Sequence, residues 1–361
     1  MKKALSIAIC FSILCYSTIT HAKYTNDHSL ASDFANTHHT SRHRFVNNLS
    51  VEGVVELESF TQNKPGDNDT DTALATIEVK IEAPINPWAQ AHILLLHEDD
   101  SEQDLVLDEA FISFSFEQNT IKIAAGKQII PFGRFESHMI SDPLTLEMAE
   151  TNNNAIISHF EKGEFHGSIY FFKGDIQNNS RYKSKIGTHI IYSTKKNNLH
   201  IDFGLAYLSD LSESASLLEY FEDEKSDINT QHSVPGFAVN TLITTGDWHA
   251  IFEYISTTRR YDPSDMTFDA KGAQPSSFHV EISHDFLLAN RVFNFATAIQ
   301  GSDQLSGLDI SKKRNMVSAS TALQPQVSVA IEYMHVASYH TENSTKQASS
   351  DVVSLQLAAQ F

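Results

Sequence analysis

The sequence predicts an all-β protein, a transmembrane antiparallel β-barrel of about sixteen strands with short turns at one end and long loops at the other. Three observations carry this reading. Polar and apolar residues alternate with period two along most of the chain. No apolar run after residue 22 approaches the roughly 18 to 20 residues that a membrane helix requires. The connections between alternating segments are long and short by turns. The mean hydropathy of −0.25 is what results when each strand gives one face to lipid and the other to water.

The first element is a secretory signal peptide over residues 1–22, with Lys2 and Lys3, an apolar stretch from Ala4 to about Tyr16, and small residues at Thr20 and Ala22. A lipoprotein site at Cys15 is the weaker alternative, because Leu14 precedes it. Both cysteines, Cys10 and Cys15, leave with this segment. The exported chain then has no thiol, which excludes disulfides, thiolate metal sites and cysteine nucleophiles. Residues 23–44 are too few to fold alone and read as a short periplasmic N-terminal tail. The barrel takes residues 45–361.

Strands are expected near 45–60, 71–86, 88–98, 105–117, 120–130, 154–161, 164–174, 184–195, 198–210, 234–247, 248–259, 275–287, 290–302, 312–324, 325–339 and 349–361. The last is the clearest, with Val353, Leu355, Leu357, Ala359 and Phe361 alternating against Ser354, Gln356, Ala358 and Gln360. Short turns follow the even strands, at Asn86-Pro87, Gln118-Asn119, Lys162-Gly163, Lys196-Asn197, Thr245-Gly246-Asp247, Leu288-Ala289 and Pro325. Long polar loops follow the odd ones, near 61–70, 98–104, 131–153, 175–183, 211–233, 260–274, 303–311 and 340–348. A soluble β-sandwich would share the alternation but not this regular exchange of long and short connections. Phe361 at the last outward position is a terminal aromatic typical of outer-membrane proteins, and suggests recognition by the barrel-assembly machinery. Neither a second domain nor a plug domain is expected.

The formal charge of −19, without a basic stripe, opposes a nucleic-acid partner. Acid is concentrated in two loops: Glu98, Asp99, Asp100, Glu102 and Asp104 in one, and Asp210, Glu213, Glu219, Glu222, Asp223, Glu224 and Asp227 against Lys225 in another. These disfavour small anions at the mouth, hold divalent cations that bridge lipopolysaccharide, or are simply solvated. The bases are scattered, with Lys122 inward on the fifth strand and no basic ladder. Among the 18 histidines, His38, His39 and His43 cluster in the tail without a metal-ligand spacing, so no metal site or cofactor is expected. An enzyme is not expected either. The trio Ser283-His284-Asp285 lies along one strand, where neighbours point to opposite faces.

The third loop has the most unusual content: Pro131-Phe132-Gly133-Arg134-Phe135-Glu136-Ser137-His138 mixes chain-bending residues, aromatics, a guanidinium, a carboxylate and an imidazole. Folded into the lumen, it would narrow the pore and present Arg134, Phe135, Glu136 and His138 to a solute. Outside the lumen it would be an ordinary surface loop.

The run Gly126-Lys127-Gln128-Ile129-Ile130-Pro131-Phe132-Gly133-Arg134-Phe135-Glu136-Ser137, followed by Ser141-Asp142-Pro143-Leu144-Thr145 and Glu150-Thr151, resembles the central motif of the LbtU-type siderophore porins. Asp108-Glu109-Ala110-Phe111 fits the same pattern. Phosphate-selective porins carry a similar G-x-x-x-x-PFG stretch, and the extension through Glu150-Thr151 is the more specific part. The resemblance implies an outer-membrane porin or receptor that takes up a ferric siderophore without a TonB-type plug. The expected assembly is a monomer or homotrimer among outer-membrane lipid and lipopolysaccharide. A general or anion-selective porin is the alternative within transport. A surface-binding or structural barrel with a closed lumen is the alternative outside it.

Overall fold

The structure, a computed structural model, describes residues 49–64, 67–99, 105–116, 120–178, 181–224, 228–339 and 349–361. The expected signal peptide, the whole tail with its histidines, the Gln118-Asn119 turn and most of the acidic 98–104 loop lie outside the described residues.

The strands are β1 (Ser50–Lys64), β2 (Asp67–Asn86), β3 (Ala89–Glu98), β4 (Val106–Phe116), β5 (Ile121–Ile129), β6 (Asn152–Lys162), β7 (Phe165–Asn178), β8 (Tyr182–Lys196), β9 (Leu199–Leu208), the two-residue β10 (Asn229–Thr230), β11 (Gly236–Thr245), β12 (Trp248–Thr257), the short hairpin of β13 (Thr267–Phe268) and β14 (Lys271–Gly272), β15 (Ser276–Leu288), β16 (Arg291–Asp303), β17 (Lys313–Gln324), β18 (Val327–Ala337) and β19 (Ser349–Gln360). Leaving aside β10, β13 and β14, sixteen strands form one antiparallel meander, and β19 closes it on β1 in a register running from Val54 opposite Gln360 to Asn63 opposite Asp351. Closure leaves no unpaired sheet edge for lipid to cover.

Period two sorts every strand into two faces. On β7, Phe165, Ile169 and Phe171 are exposed outward while Ser168, Tyr170 and Phe172 are buried inward. The outward face is an apolar belt, edged by aromatics such as Trp88, Phe116, Trp248 and Phe286 near the short turns and Tyr182, Tyr207, Phe278 and Tyr333 nearer the long loops. That belt is what a bilayer requires of a barrel. The short turns use the left-handed backbone that tight hairpins need: Ala289 and Asn290 have φ of 48° and 65°, and Gly246 has φ of 58°.

Three expectations are corrected. The 61–70 segment is not a long loop, because β1 and β2 stay paired far above the membrane belt; Thr61 lies opposite Thr70, with their hydroxyls 3.2 Å apart. Polar β-branched residues there continue the ladder without an apolar face. The 175–183 connection shrinks likewise as β7 runs to Asn178 and β8 starts at Tyr182. Two segments expected to be loops hold helices, α1 (Leu144–Ala149) and α2 (Ala215–Glu224).

These helices also fill part of the lumen. Inward residues of β6 to β12, among them Ile157, Tyr170, Phe172, Leu208 and Ile255, pack against Phe132, Phe135, Leu144, Met148, Leu211, Leu217, Phe221 and Tyr261 in one apolar cluster. Each fully buried large side chain there contributes about 1.5–3 kcal/mol. Inward apolar positions on this side of the barrel are thus matched to infolded loops.

Candidate functional site: the third loop across the lumen

Shortly before the third loop, β5 packs tightly on β4 at Gly126. Gly126 has φ of 144°, and a Cβ there would stand 2.2 Å from the Ala110 carbonyl oxygen, so only glycine fits. Phe132 is fully buried in the apolar cluster. Phe135 takes a left-handed backbone with φ of 58°, and its ring lies over Gly133, where a Cβ would come within 2.2 Å of it. The Pro-Phe-Gly-Arg-Phe run is therefore a folded unit with two aromatic anchors.

Three inward glutamates on separate strands hold the loop. Glu253 of β12 accepts the backbone N–H of Arg134 through Oε1 (2.6 Å), and through Oε2 the N–H of Phe135 (3.2 Å) and the Thr145 hydroxyl (2.8 Å). Glu281 of β15 accepts the His138 N–H (2.9 Å), the Ser137 hydroxyl (2.7 Å) and His138 Nδ1 (2.7 Å). Glu332 of β18 accepts the N–H groups of Ile140 (2.7 Å) and Ser141 (3.3 Å) and the Ser141 hydroxyl (2.6 Å). Ionised carboxylates are acceptors only and match the loop's unpaired donors; such charge-assisted bonds are each worth roughly 1.5–3 kcal/mol.

The return path is fixed as firmly. The Leu144 N–H donates to Gln300 Oε1 (3.1 Å), and Arg314 reaches Glu147 Oε1 (2.5 Å) and the Asp142 carbonyl (3.2 Å). The carbonyls at the end of α1 are capped from the start of α2: Ser214 Oγ donates to the Met148 carbonyl (2.9 Å), and the Ala215 N–H donates to the Glu150 carbonyl (2.9 Å). The α2 segment is itself tied to the wall by Lys185, fully buried between Asp210 (2.5 Å) and Glu213 (3.1 Å).

The four sequence-singled residues divide. Arg134 lies in the lumen, with Nε donating to Glu136 (2.7 Å) and Nη2 to Asp202 of β9 (2.9 Å). His138 faces Glu281, with its ring centroid 5.5 Å from that of His249. Burial opposes its charge, but the hydrogen bond and charge of Glu281 outweigh this and hold its pKa above the usual imidazole range. Phe135, by contrast, is 8 % exposed and packs into the apolar cluster, so it shapes the loop from behind. At the loop's far end, burial and then the charges of Asp108 and Glu109 push the Glu150 carboxyl up to about 7.

Sequence reading missed the three wall glutamates. Their signal was a lone acid at an inward position of a mostly apolar strand, as in Ile251-Phe252-Glu253-Tyr254-Ile255. In the Ser283-His284-Asp285 trio, Ser283 faces inward while His284 stacks outside on Trp248 at 4.4 Å, so the three do not converge. Among the described residues, no three His, Asp or Glu side chains converge as a metal site.

With β9 to β18 covered by the loop, open volume remains on the other wall. A cavity of about 750 Å³ lies against β4 to β8 near the short-turn end, and one of about 490 Å³ lies between β1 and β4, bordered by Glu52, Glu78, Lys80, His92 and Glu109.

No family model matches the chain. It is similar to a UPF0422 protein of Coxiella burnetii, 23% identical over 292 residues that cover 78% of this chain and 62% of the relative. It is also similar to the UPF0422 protein lpg2959 of Legionella pneumophila, 20% identical over 325 residues, covering 81% of this chain and 59% of the relative. The chain thus spans about three-fifths of the length of these curated relatives. Among solved structures it is similar to an anion-selective porin from Comamonas acidovorans, with a TM-score of 0.59 at 12% identity over 87% of this chain and 99% of the other. OprB of Pseudomonas putida gives a TM-score of 0.59 at 10% identity, over 87% and 94% of the two chains. The channel DcaP of Acinetobacter baumannii gives 0.57 at 11%, over 87% and 97%.

The fold is an outer-membrane porin barrel. The closed meander, the apolar belt and the long loops at one end all belong to that architecture, and the protein is placed in the outer membrane.

Proposed function

We propose that the protein is a solute-selective outer-membrane channel that admits a ferric siderophore past the third loop. The observation that carries this reading is the loop itself, bound to three wall glutamates so that passage is confined to the opposite side of the lumen. Selection then rests on width and polar lining, with no covalent chemistry. Arg134, Glu136 and His138 are the constriction and ligand-contact residues of this proposal, and Phe135 supports them from the apolar cluster. The motif from Gly126 to Thr151 supports a siderophore as cargo. Outer-membrane lipid, lipopolysaccharide and the barrel-assembly machinery would be its other partners, with a homotrimer as a possible assembly.

Labelled ferric-siderophore uptake and growth under iron limitation, in cells with and without the protein, test this reading, with phosphate uptake run in parallel. Loss of siderophore uptake alone is the expected result. Unchanged siderophore uptake would leave a general or anion-selective porin, the reading favoured by the fold's similarity to an anion-selective porin.

A further inference from the structure

We propose that the cavity against β4 to β8 is a binding site for a small organic carboxylate. It lies across the lumen from the glutamates that hold the third loop, and it does not rest on the siderophore reading.

Register assembles the site. Ser115 of β4 lies directly opposite Lys122 of β5, Lys122 opposite His159 of β6, His159 opposite Ser168 of β7, and Ser168 opposite His189 of β8. All five line the cavity. Directly opposed side chains stand about 4.5–5.5 Å apart at Cβ, so the row is one continuous band of donors across five strands. Above it the inward residues turn apolar at Ile157 and Tyr170, inside the cluster that fills the lumen. Below it the cavity opens toward the short turns.

The charge of this band runs against the rest of the molecule. The chain carries 45 acidic residues against 26 Lys and Arg. Among the described residues Glu161 is the one acid that borders the cavity, on a largely exposed side chain 3.8 Å from His166. Lys122 supplies a positive charge, and imidazoles and hydroxyls supply further hydrogen-bonding groups. Arg134 interacts electrostatically with His189 from the third loop, but Glu136 and Asp202 balance its charge, so Lys122 sets the sign.

Two buried polar atoms are also unfilled. His189 is 8 % exposed and its Nε2 has no hydrogen-bond partner among the described residues; the buried Nη1 of Arg134 has none either. Buried polar atoms are nearly always paired, so the orphan on His189, a member of this band, and that on Arg134, which interacts with His189, point to an oxygen-bearing anion as the missing partner. A volume of about 750 Å³ suits an organic molecule better than a bare inorganic ion.

The test is titration calorimetry on the full-length protein in detergent, with citrate, inorganic phosphate and glucose as separate probes. Citrate is expected to bind, phosphate at least about tenfold more weakly, and glucose not at all. Lys122→Gln, whose side chain is exposed to the lumen, should weaken citrate at least about tenfold, the loss expected for a charge-assisted contact. His189→Gln should act in the same direction, with heat-modifiable mobility on gels confirming that each variant is folded. Absence of citrate binding, or citrate binding that Lys122→Gln leaves unchanged, would overturn the site. Phosphate binding as tightly as citrate would overturn the assignment to an organic anion, and glucose binding as tightly would overturn the role of charge.

Discussion

The wall of β12, β15 and β18 and the wall of β4 to β8 are made from the same alternating strands, yet they use their inward polar residues in opposite ways. On the first, Glu253, Glu281 and Glu332 are consumed by the third loop, each accepting from its backbone and side chains. On the second, Lys122, His159 and His189 share one register row, and His189 Nε2 has no partner among the described residues. Acceptors that meet a strand of unpaired N–H groups build structure, whereas donors that meet only water are free to meet a solute. The barrel thus has one wall that carries its own loop and one whose polar side chains stay open to the lumen.

Removing a wall acceptor breaks this contrast most severely. Glu253→Ala leaves the Arg134 and Phe135 N–H groups and the Thr145 hydroxyl without their acceptor, at roughly 1–3 kcal/mol for each buried donor. The loop should leave the wall, with a severalfold rise in single-channel conductance in planar bilayers and a lower thermal midpoint. Unchanged conductance would show that the glutamates do not hold the constriction.

Phe135→Ala tests the apolar support behind the loop. Deleting a buried Phe costs about 3–5 kcal/mol, so the thermal midpoint should fall clearly while heat-modifiable barrel mobility is retained. Conductance should change less than in Glu253→Ala, and an equal change would merge the two roles.

The pH dependence of the latch follows from His138 and Glu150. The His138 pKa is raised in the folded state, so its contribution is fully present below about 6.5 and is lost as pH rises through the raised value. Glu150 is raised to about 7, so it too favours the folded loop below its ordinary range of 4.5 and loses that contribution as it ionises through about 7. Conductance should therefore rise from about pH 4.5 to 7 as Glu150 ionises and go on rising above about pH 6.5 as His138 loses its proton, and His138→Gln should flatten the upper part of the rise. A flat wild-type profile would remove both groups from the latch.

The smallest effect is expected from Ser318→Ala, which deletes one neutral bond to the His138 carbonyl (3.1 Å). A loss of about 0.5–1.5 kcal/mol and near-wild-type conductance would place the anchoring energy in the three carboxylates.

Much of the barrel was legible before any coordinates. Thirteen-residue strands such as Ser276–Leu288 announce themselves because side-chain alternation is a property of the local chain, and tight turns follow from residues that accept a left-handed backbone. The extension of β1 and β2 beyond the membrane belt was not legible, since polar residues above the lipid carry no alternating apolar signal. Helix α2 was missed although Leu217, Leu218 and Phe221 carry a helical spacing, because a ten-residue helix among polar loops gives a weak periodic signal.

The third loop was singled out by composition alone, through Arg134, Phe135, Glu136 and His138. What it touches was not readable from that composition. Its contacts with Glu253, Glu281 and Glu332 span 119, 143 and 192 residues of chain, and they exist only because closure of the barrel brings those strands around the loop. The same holds for the band from Ser115 to His189, whose members become neighbours through strand register. Alternation by itself determined that this protein is a barrel, with roughly where each strand begins and which residues face its lumen. Tertiary structure decided which inward residues are spent on the loop and which stay open to the lumen, because hydrogen bonds between distant segments depend on pairing and closure that no local pattern encodes.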